Sequence, residues 1–161
     1  MRIYLDNCSY NRPYDDQSQM RIHLETQAKL HIQDMIRKKQ IELVTSYVLD
    51  FENSNNRSIQ KRMAIEKFMK DYATLYVSNK HSDKFAEIAD SIMETGVKEK
   101  DAYHVACALM AECDYFVTTD DRLLYCRPPG FTVVSPGKYL AGGLQSGCTA
   151  NLTGVQYKIS V

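Results

Sequence analysis

The alternation of apolar and polar positions changes rhythm repeatedly along the chain, and each change marks an element. Residues 2–6 (RIYLD) are rich in Ile, Tyr and Leu and break off at Asp6–Asn7. This predicts a short buried strand whose carboxyl end delivers Asp6. The polar segment NCSYNRPYDDQS then reads as a loop. Over 18–38, Met20, Leu24, Ala28, Leu30, Met35 and Ile36 recur at near-helical spacing between charges, which predicts a long amphipathic helix. IELVTS at 41–46 predicts a second strand, and YVLDFENSNN opens as a helix and closes in an Asn/Ser turn. Residues 57–72 set Ile59, Met63, Ile65, Phe68 and Met69 along one side of a further helix. LYVS at 75–78 is too short to separate a strand from an extended link.

A Ser82–Asp83 cap signal and Gly96 bracket a helix over 82–96. The stretch 99–113 carries the strongest helical pattern, with Ala102, Val105, Ala106, Leu109, Met110 and Cys113 on one stripe. DYFVTTDD at 114–121 is a strand running into acids, FTVVS at 131–135 is another strand, and PGKYLAGG a brief helix. Four strands separated by helices imply βαβ units and a parallel sheet. Residues 142–161 hold no acidic residue and are rich in Gly, Ser and Thr. Their last part, VQYKISV, alternates like an edge strand; it could join the sheet, pair with another chain or stay disordered.

Composition narrows the class. With 161 residues, 44% hydrophobic and 25% charged, the chain suits one globular domain and excludes a coiled-coil rod, a collagen-like repeat or a disordered tail protein. Twenty Lys and Arg balance twenty Asp and Glu, so no bulk attraction to a polyanion is visible. An enzyme that gathers carboxylates at one site remains compatible with that balance. No stretch approaches the ~18 apolar residues of a membrane span, and the N-terminal segment lacks the apolar core of a signal peptide. A cytoplasmic protein without membrane contact is expected. The five cysteines (Cys8, Cys107, Cys113, Cys126, Cys148) are odd in number and form no CxxC pair, so they are expected to be reduced and mostly buried. A zinc site from His104, Cys107 and Cys113 fails on geometry, because Cys113 falls at the far end of the helix from His104.

The candidate chemistry lies in where the acids sit. Asp6 closes the first strand, Glu52 follows the second, Asp101 opens the strongest helix and Asp120 closes YFVTT. Ligands of open parallel α/β sheets bind outside the carboxyl ends of the strands, so these four acids could converge. Clustered carboxylates repel one another, and a hard divalent cation such as Mg²⁺ or Mn²⁺ reverses that penalty. Two such ions about 3.5–4 Å apart can activate a water and stabilise a leaving oxygen in phosphodiester hydrolysis. Each acid also has a structural role open to it. Asp6 could cap a turn, Glu52 could be a surface acid beside Asp50, and Asp101 could answer the helix dipole. Asp120 and Asp121 could cap the helix that follows, and Asp15 and Asp16 read as caps.

Taken together, IYLDN at 3–7, TSYVLDFE at 45–52, KDAYHVACALMAECDYFVTTDDRLL at 100–124 and FTVVSP at 131–136 resemble a PIN domain. That is the fold of many metal-dependent ribonucleases and of bacterial toxin–antitoxin toxins. The resemblance implies an α/β fold: three layers, α/β/α, around a central, mainly parallel sheet of four or five strands. It places a PIN-like nuclease domain at 1–141 and leaves 142–161 as a tail. It carries the family's acidic quartet onto Asp6, Glu52, Asp101 and Asp120 as catalytic and metal-binding residues. Asp6, Asp101 and Asp120 would hold the principal ion and Glu52 act through it or its water. A one-turn register slip would put Asp50 in place of Glu52, and Asp121 is the neighbour competing with Asp120. Thr118 falls on the Thr or Ser two positions before the last acid, and Asn7 stands where many members carry Thr or Ser. Arg12 and Arg122 are candidate phosphate contacts, and Tyr10 and Tyr14 could stack bases.

The activity implied is a Mg²⁺/Mn²⁺-dependent endoribonuclease acting on single-stranded RNA, of the toxin type, with an antitoxin and a homodimer as possible partners. The alternative is a catalytically silent PIN-like module that binds RNA or protein. A phosphoryl-transfer protein of the haloacid or receiver type fits poorly. The first wants Asp-x-Asp where Asp6-Asn7-Cys8 stands, and the second wants an acidic pair near the first strand.

Overall fold

The computed structural model describes residues 1–125 and 132–143. Five strands, β1 (Arg2–Leu5), β2 (Glu42–Ser46), β3 (Ala73–Val77), β4 (Tyr115–Val117) and β5 (Thr132–Val134), form one sheet in the order β3-β2-β1-β4-β5. Every neighbouring pair is parallel. Ile3, Tyr4 and Leu5 are all fully buried although successive side chains point to opposite faces. Both faces of the sheet are therefore covered, as parallel sheets require, and the architecture is a three-layer α/β/α sandwich.

The eight described helices are α1 (Asn7–Asn11), α2 (Met20–Arg37), α3 (Tyr47–Ser54), α4 (Ile59–Tyr72), α5 (Ser82–Met93), α6 (Glu99–Met110), α7 (Asp121–Tyr125) and α8 (Pro136–Gly143). α5 packs on α6, and α2 on α8. The core runs from Ile3, Leu5, Leu43 and Phe116 in the sheet to Ile32, Ile65, Phe85 and Val105 on the helices.

Several boundaries and faces differ from the sequence reading. The expected loop after Asp6 contains the single turn of α1 and a 3₁₀ turn over Arg12–Tyr14. β3 is a strand, but an edge one whose Leu75 and Tyr76 face solvent, which is why its pattern was undecided. On α2, Met20 and Leu24 are 72% and 59% exposed, whereas Glu25, Lys29 and Gln33 point inward. On α4, Ile59 and Met63 likewise face out and Ile65, Phe68 and Met69 face in.

α6 ends at Met110, short of Cys113, in a Schellman closure: Cys113 N–H reaches Ala108 C=O and Glu112 N–H reaches Leu109 C=O. Glu112 takes the left-handed conformation there, with φ 52°, so no glycine marked the stop. Gly96, in contrast, adopts φ 90° just past α5, where the stop was expected. Cys107 and Cys113 are buried and, with Cys8, free thiols. Cys126, Cys148, the end of the tail and its edge-strand candidate lie outside the described residues. Among the described residues, no helix is long and apolar enough to cross a membrane.

Candidate metal centre

Strand order places the site. Chain connections leave β1 toward β2 on one side and return to β4 on the other, so a crevice opens at the carboxyl ends of β1 and β4. Asp6 stands at the end of β1, its N–H bonded to Val117 C=O at 2.9 Å. Thr118, Thr119 and Asp120 continue β4 into the same crevice.

Asp6 is 5% exposed, and a buried carboxylate is costly unless it is hydrogen-bonded. Three donors answer it. Asn7 N–H donates to Oδ1 at 2.7 Å, and Thr118 Oγ1 and Cys8 Sγ donate to Oδ2 at 2.8 and 2.9 Å. Thr118 Oγ1 in turn accepts from Asp120 N–H at 3.0 Å, so Thr118 ties the two acids together. Burial, and secondarily the charge of Asp6, pushes the Cys8 thiol up to about 12, so it remains an S–H donor. Asp6 also caps α1 through Asn7 N–H; the capping role and the site role coincide.

Glu52, on α3, reaches the crevice from the other side with a side chain only 7% exposed. His104 Nε2 lies 2.8 Å from its Oε2, and Lys100 Nζ pairs with its Oε1. Behind His104 runs a buried chain: Nδ1 is 2.8 Å from Tyr4 Oη, which is 2.7 Å from Ser46 Oγ. Burial holds the His104 ring below its ordinary value despite the upward pull of Asp6 and Asp101. We therefore assign the neutral ring, with Nε2–H donating to Glu52 and Nδ1 accepting from Tyr4. Ser46 Oγ also accepts from Leu49 N–H at 3.3 Å, so the chain is anchored at the start of α3.

Asp6, Glu52 and His104 form the tightest group, each offering a ligand atom within 4.8 Å of the others. Asp101 is half-buried, and among the described residues its carboxyl has no hydrogen-bond partner. Burial, followed by the fields of Asp6 and Asp120, raises it above the ordinary carboxylate value, which brings these three acids into one electrostatic neighbourhood. Asp120 accepts from Arg122 N–H at 2.8 Å and so also opens α7.

The competing acids face elsewhere. Asp50 accepts from Tyr76 Oη at 2.8 Å on β3, and exposed Asp121 is held by the two terminal guanidinium nitrogens of Arg21. Arg12 is engaged internally: Nη1 donates to Asp15 at 3.1 Å and Nη2 to Thr119 C=O at 3.3 Å. Its Nε lies 2.7 Å from Glu25 Oε2, an ion pair whose angle falls short of a hydrogen bond. Arg122 is exposed beside Asp120, and Asn7 Oδ1 accepts from Asn11 at 3.3 Å. Tyr10 is fully buried against Phe68 and cannot stack a base, while Tyr14 is 44% exposed. His104 is the residue the sequence reading missed for this site, having weighed it only for zinc. The available signal was its place one helical turn after Asp101 on α6.

No protein-family model and no curated protein matches the sequence. Solved structures do share its fold. The chain matches VapBC2 from Rickettsia felis, bound to a DNA fragment from its promoter, with a TM-score of 0.54 and 11% identity over 84% of this chain and 98% of that one. It matches FitAB bound to an IR36 DNA fragment with a TM-score of 0.53 and 17% identity over 84% of this chain and 95% of that one. These neighbours are VapC-type PIN toxin structures, and the fold of this chain is PIN-like.

Proposed function

We propose that this PIN-like fold carries a divalent-metal-dependent endoribonuclease of the toxin type, acting on single-stranded RNA. The observation that carries the reading is the meeting of Asp6, Glu52 and His104 ligand atoms within 4.8 Å, in a crevice where Asp101 also feels Asp6 and Asp120. The donor set fits a divalent ion. Two carboxylates with a half-buried third acid that lacks a hydrogen bond leave negative charge for a cation to neutralise. Both His104 nitrogens are engaged, Nε2 by Glu52 and Nδ1 by Tyr4, so the donors left for an ion are carboxylate oxygens, which suit Mg²⁺ and Mn²⁺ alike. Asp6, Glu52 and Asp101 would hold the ion, with Asp120 and His104 bordering it.

A bound divalent ion supplies a lowered water pKa and a counter-charge for the phosphodiester. The chain supplies the rest. Thr118 and Cys8 fix the Asp6 carboxylate, so it need not reorganise during reaction. Tyr4 and His104 orient Glu52 in the same way. Burial, followed by the fields of Asp6 and Asp120, raises Asp101, a penalty that a bound cation would reverse. Exposed Arg122, beside Asp120, and Lys100, paired with Glu52, are candidate cations for an approaching phosphate.

The fold of the neighbours supports a toxin–antitoxin setting, and both were solved with DNA fragments. We extend the proposal to an antitoxin partner encoded next to this chain. The test of activity is cleavage of single-stranded RNA with Mn²⁺ or Mg²⁺, with EDTA, and with Asp6→Asn and Asp101→Asn. Metal-dependent cleavage lost in EDTA and in both variants is expected; undiminished cleavage by both variants removes the mechanism.

A further inference from the structure

On the other side of α1 from the acids lies a cavity of about 180 Å³, lined among others by Tyr10, Tyr14, Lys29, Gln33, Arg37 and Phe68. No acidic residue lines it. Lys29 is only 4% exposed, yet among the described residues its ammonium makes no ion pair and no hydrogen bond, and meets only the Tyr10 ring at 5.9 Å. Glu25, one turn earlier on the same face, would be its natural partner, but Glu25 is taken by Arg12 and Arg21. Two more polar groups border the cavity. The fully buried Tyr10 hydroxyl has no partner, and the buried Gln33 amide has none among the described residues. Arg37 lies over the rings of Phe68 and Tyr72 at 5.5 and 5.9 Å, with no carboxylate in ion-pair reach among the described residues.

Folded proteins satisfy the large majority of their buried polar groups. The Tyr10 hydroxyl is one exception, behind the cavity wall. The Lys29 and Gln33 side chains open onto the same acid-free cavity with no acceptor among the described residues, so an acceptor for them has to come from outside. We infer that this cavity binds a phosphate group, held by Lys29, Arg37 and Gln33. Two cations and one neutral amide donor match a doubly charged, four-oxygen anion better than a carboxylate, which would neutralise one charge only. The volume is well below the roughly 300–1,000 Å³ of clefts that enclose drug-sized ligands, so it takes the phosphate itself. Whatever the phosphate is attached to would extend past exposed Tyr14. Burial and Arg37 push Lys29 down to about 8, the direction expected where the counter-charge has to come from outside. The site shares no residue with the proposed nuclease centre.

Calorimetry on the full chain in EDTA tests it, with inorganic phosphate, with acetate, and with two short RNAs differing only in a terminal phosphate. Phosphate binding is expected, weakened at least about tenfold by Lys29→Met with the melting temperature unchanged or raised. If Lys29→Met does not fold, Arg37→Gln, at an exposed position, carries the same comparison. Displacement of phosphate by the terminally phosphorylated RNA alone assigns the group to an RNA end. Displacement by both RNAs assigns it to backbone phosphates, and by neither to the free ion. The inference is overturned if phosphate does not bind, if binding is indifferent to both variants, or if acetate binds as tightly, which would make the occupant a carboxylate.

Discussion

Two pockets flank α1, and they handle charge in opposite ways. In the crevice at the ends of β1 and β4, negative groups dominate and the chain answers most of them itself. Asp6 has three donors, Glu52 has His104 and Lys100, and Asp120 caps α7. Behind α1, positive and neutral donors dominate, and Lys29, Gln33 and Tyr10 find no acceptor among the described residues. On the two proposals, the nearly satisfied anions are held in one geometry ready for a cation, and the donors behind α1 are left for an external acceptor. The contrast separates a prepared centre from an incomplete one.

The comparison can be broken at several points, beginning with the strongest. Asp6→Asn keeps an acceptor for Thr118 but removes the charge, and RNA cleavage should fall by on the order of 10³-fold, as when one preorganised electrostatic group is lost. Circular dichroism should show the fold intact.

On the opposite side, Lys29→Met should stabilise the protein at pH 7, by at most on the order of 3 kcal/mol. The sign follows from Lys29 lying near 8 in the folded chain against 10.5 unfolded. The penalty is complete below pH 8 and is relieved as pH climbs from 8 to 10.5, where the unfolded chain binds more protons. Urea melts across that window should show the wild type closing the gap to the variant. A guanidinium keeps its charge there, so Arg37 does not contribute. Burial keeps the Tyr10 phenol neutral, and rim groups such as Tyr14 and Lys61 are common to both proteins and cancel.

Smaller effects sharpen the picture. His104→Gln should weaken Mn²⁺ binding about 10–100-fold, the usual consequence of losing a group that orients a ligand, as read by calorimetry. The smallest effect discriminates adjacent acids: Asp121→Asn, which only releases Arg21, should leave cleavage unchanged, whereas Asp120→Asn should lower it in the same assay.

The parts of this arrangement that were legible in the sequence are those encoded locally. Asp6 ends an apolar run, Asp120 follows another, and the helices between them force a parallel sheet. β3 stays ambiguous between strand and link because an edge strand lacks the continuous apolar run of central ones, which are buried on both faces. α1 escaped because five polar-looking residues, NCSYN, show no apolar period; Asp6 starts that turn by capping it. Periodicity found α2 but misjudged its inner face, because Glu25 is held inward by Arg12 and Lys29 lies against the Tyr10 ring, where the pattern expects apolar side chains. His104 joined the centre only through Glu52, a residue 52 positions away, and no local pattern carries such a pairing.

The brevity of α1 has a mechanical consequence. Cys8 touches Asp6 on one flank of this segment, and Tyr10 meets Phe68 and Lys29 on the other. A plug of five residues has no internal joint to absorb a push. Pressure on the tyrosine flank would be passed, through a lever one turn long, to the carboxylate at its opposite end.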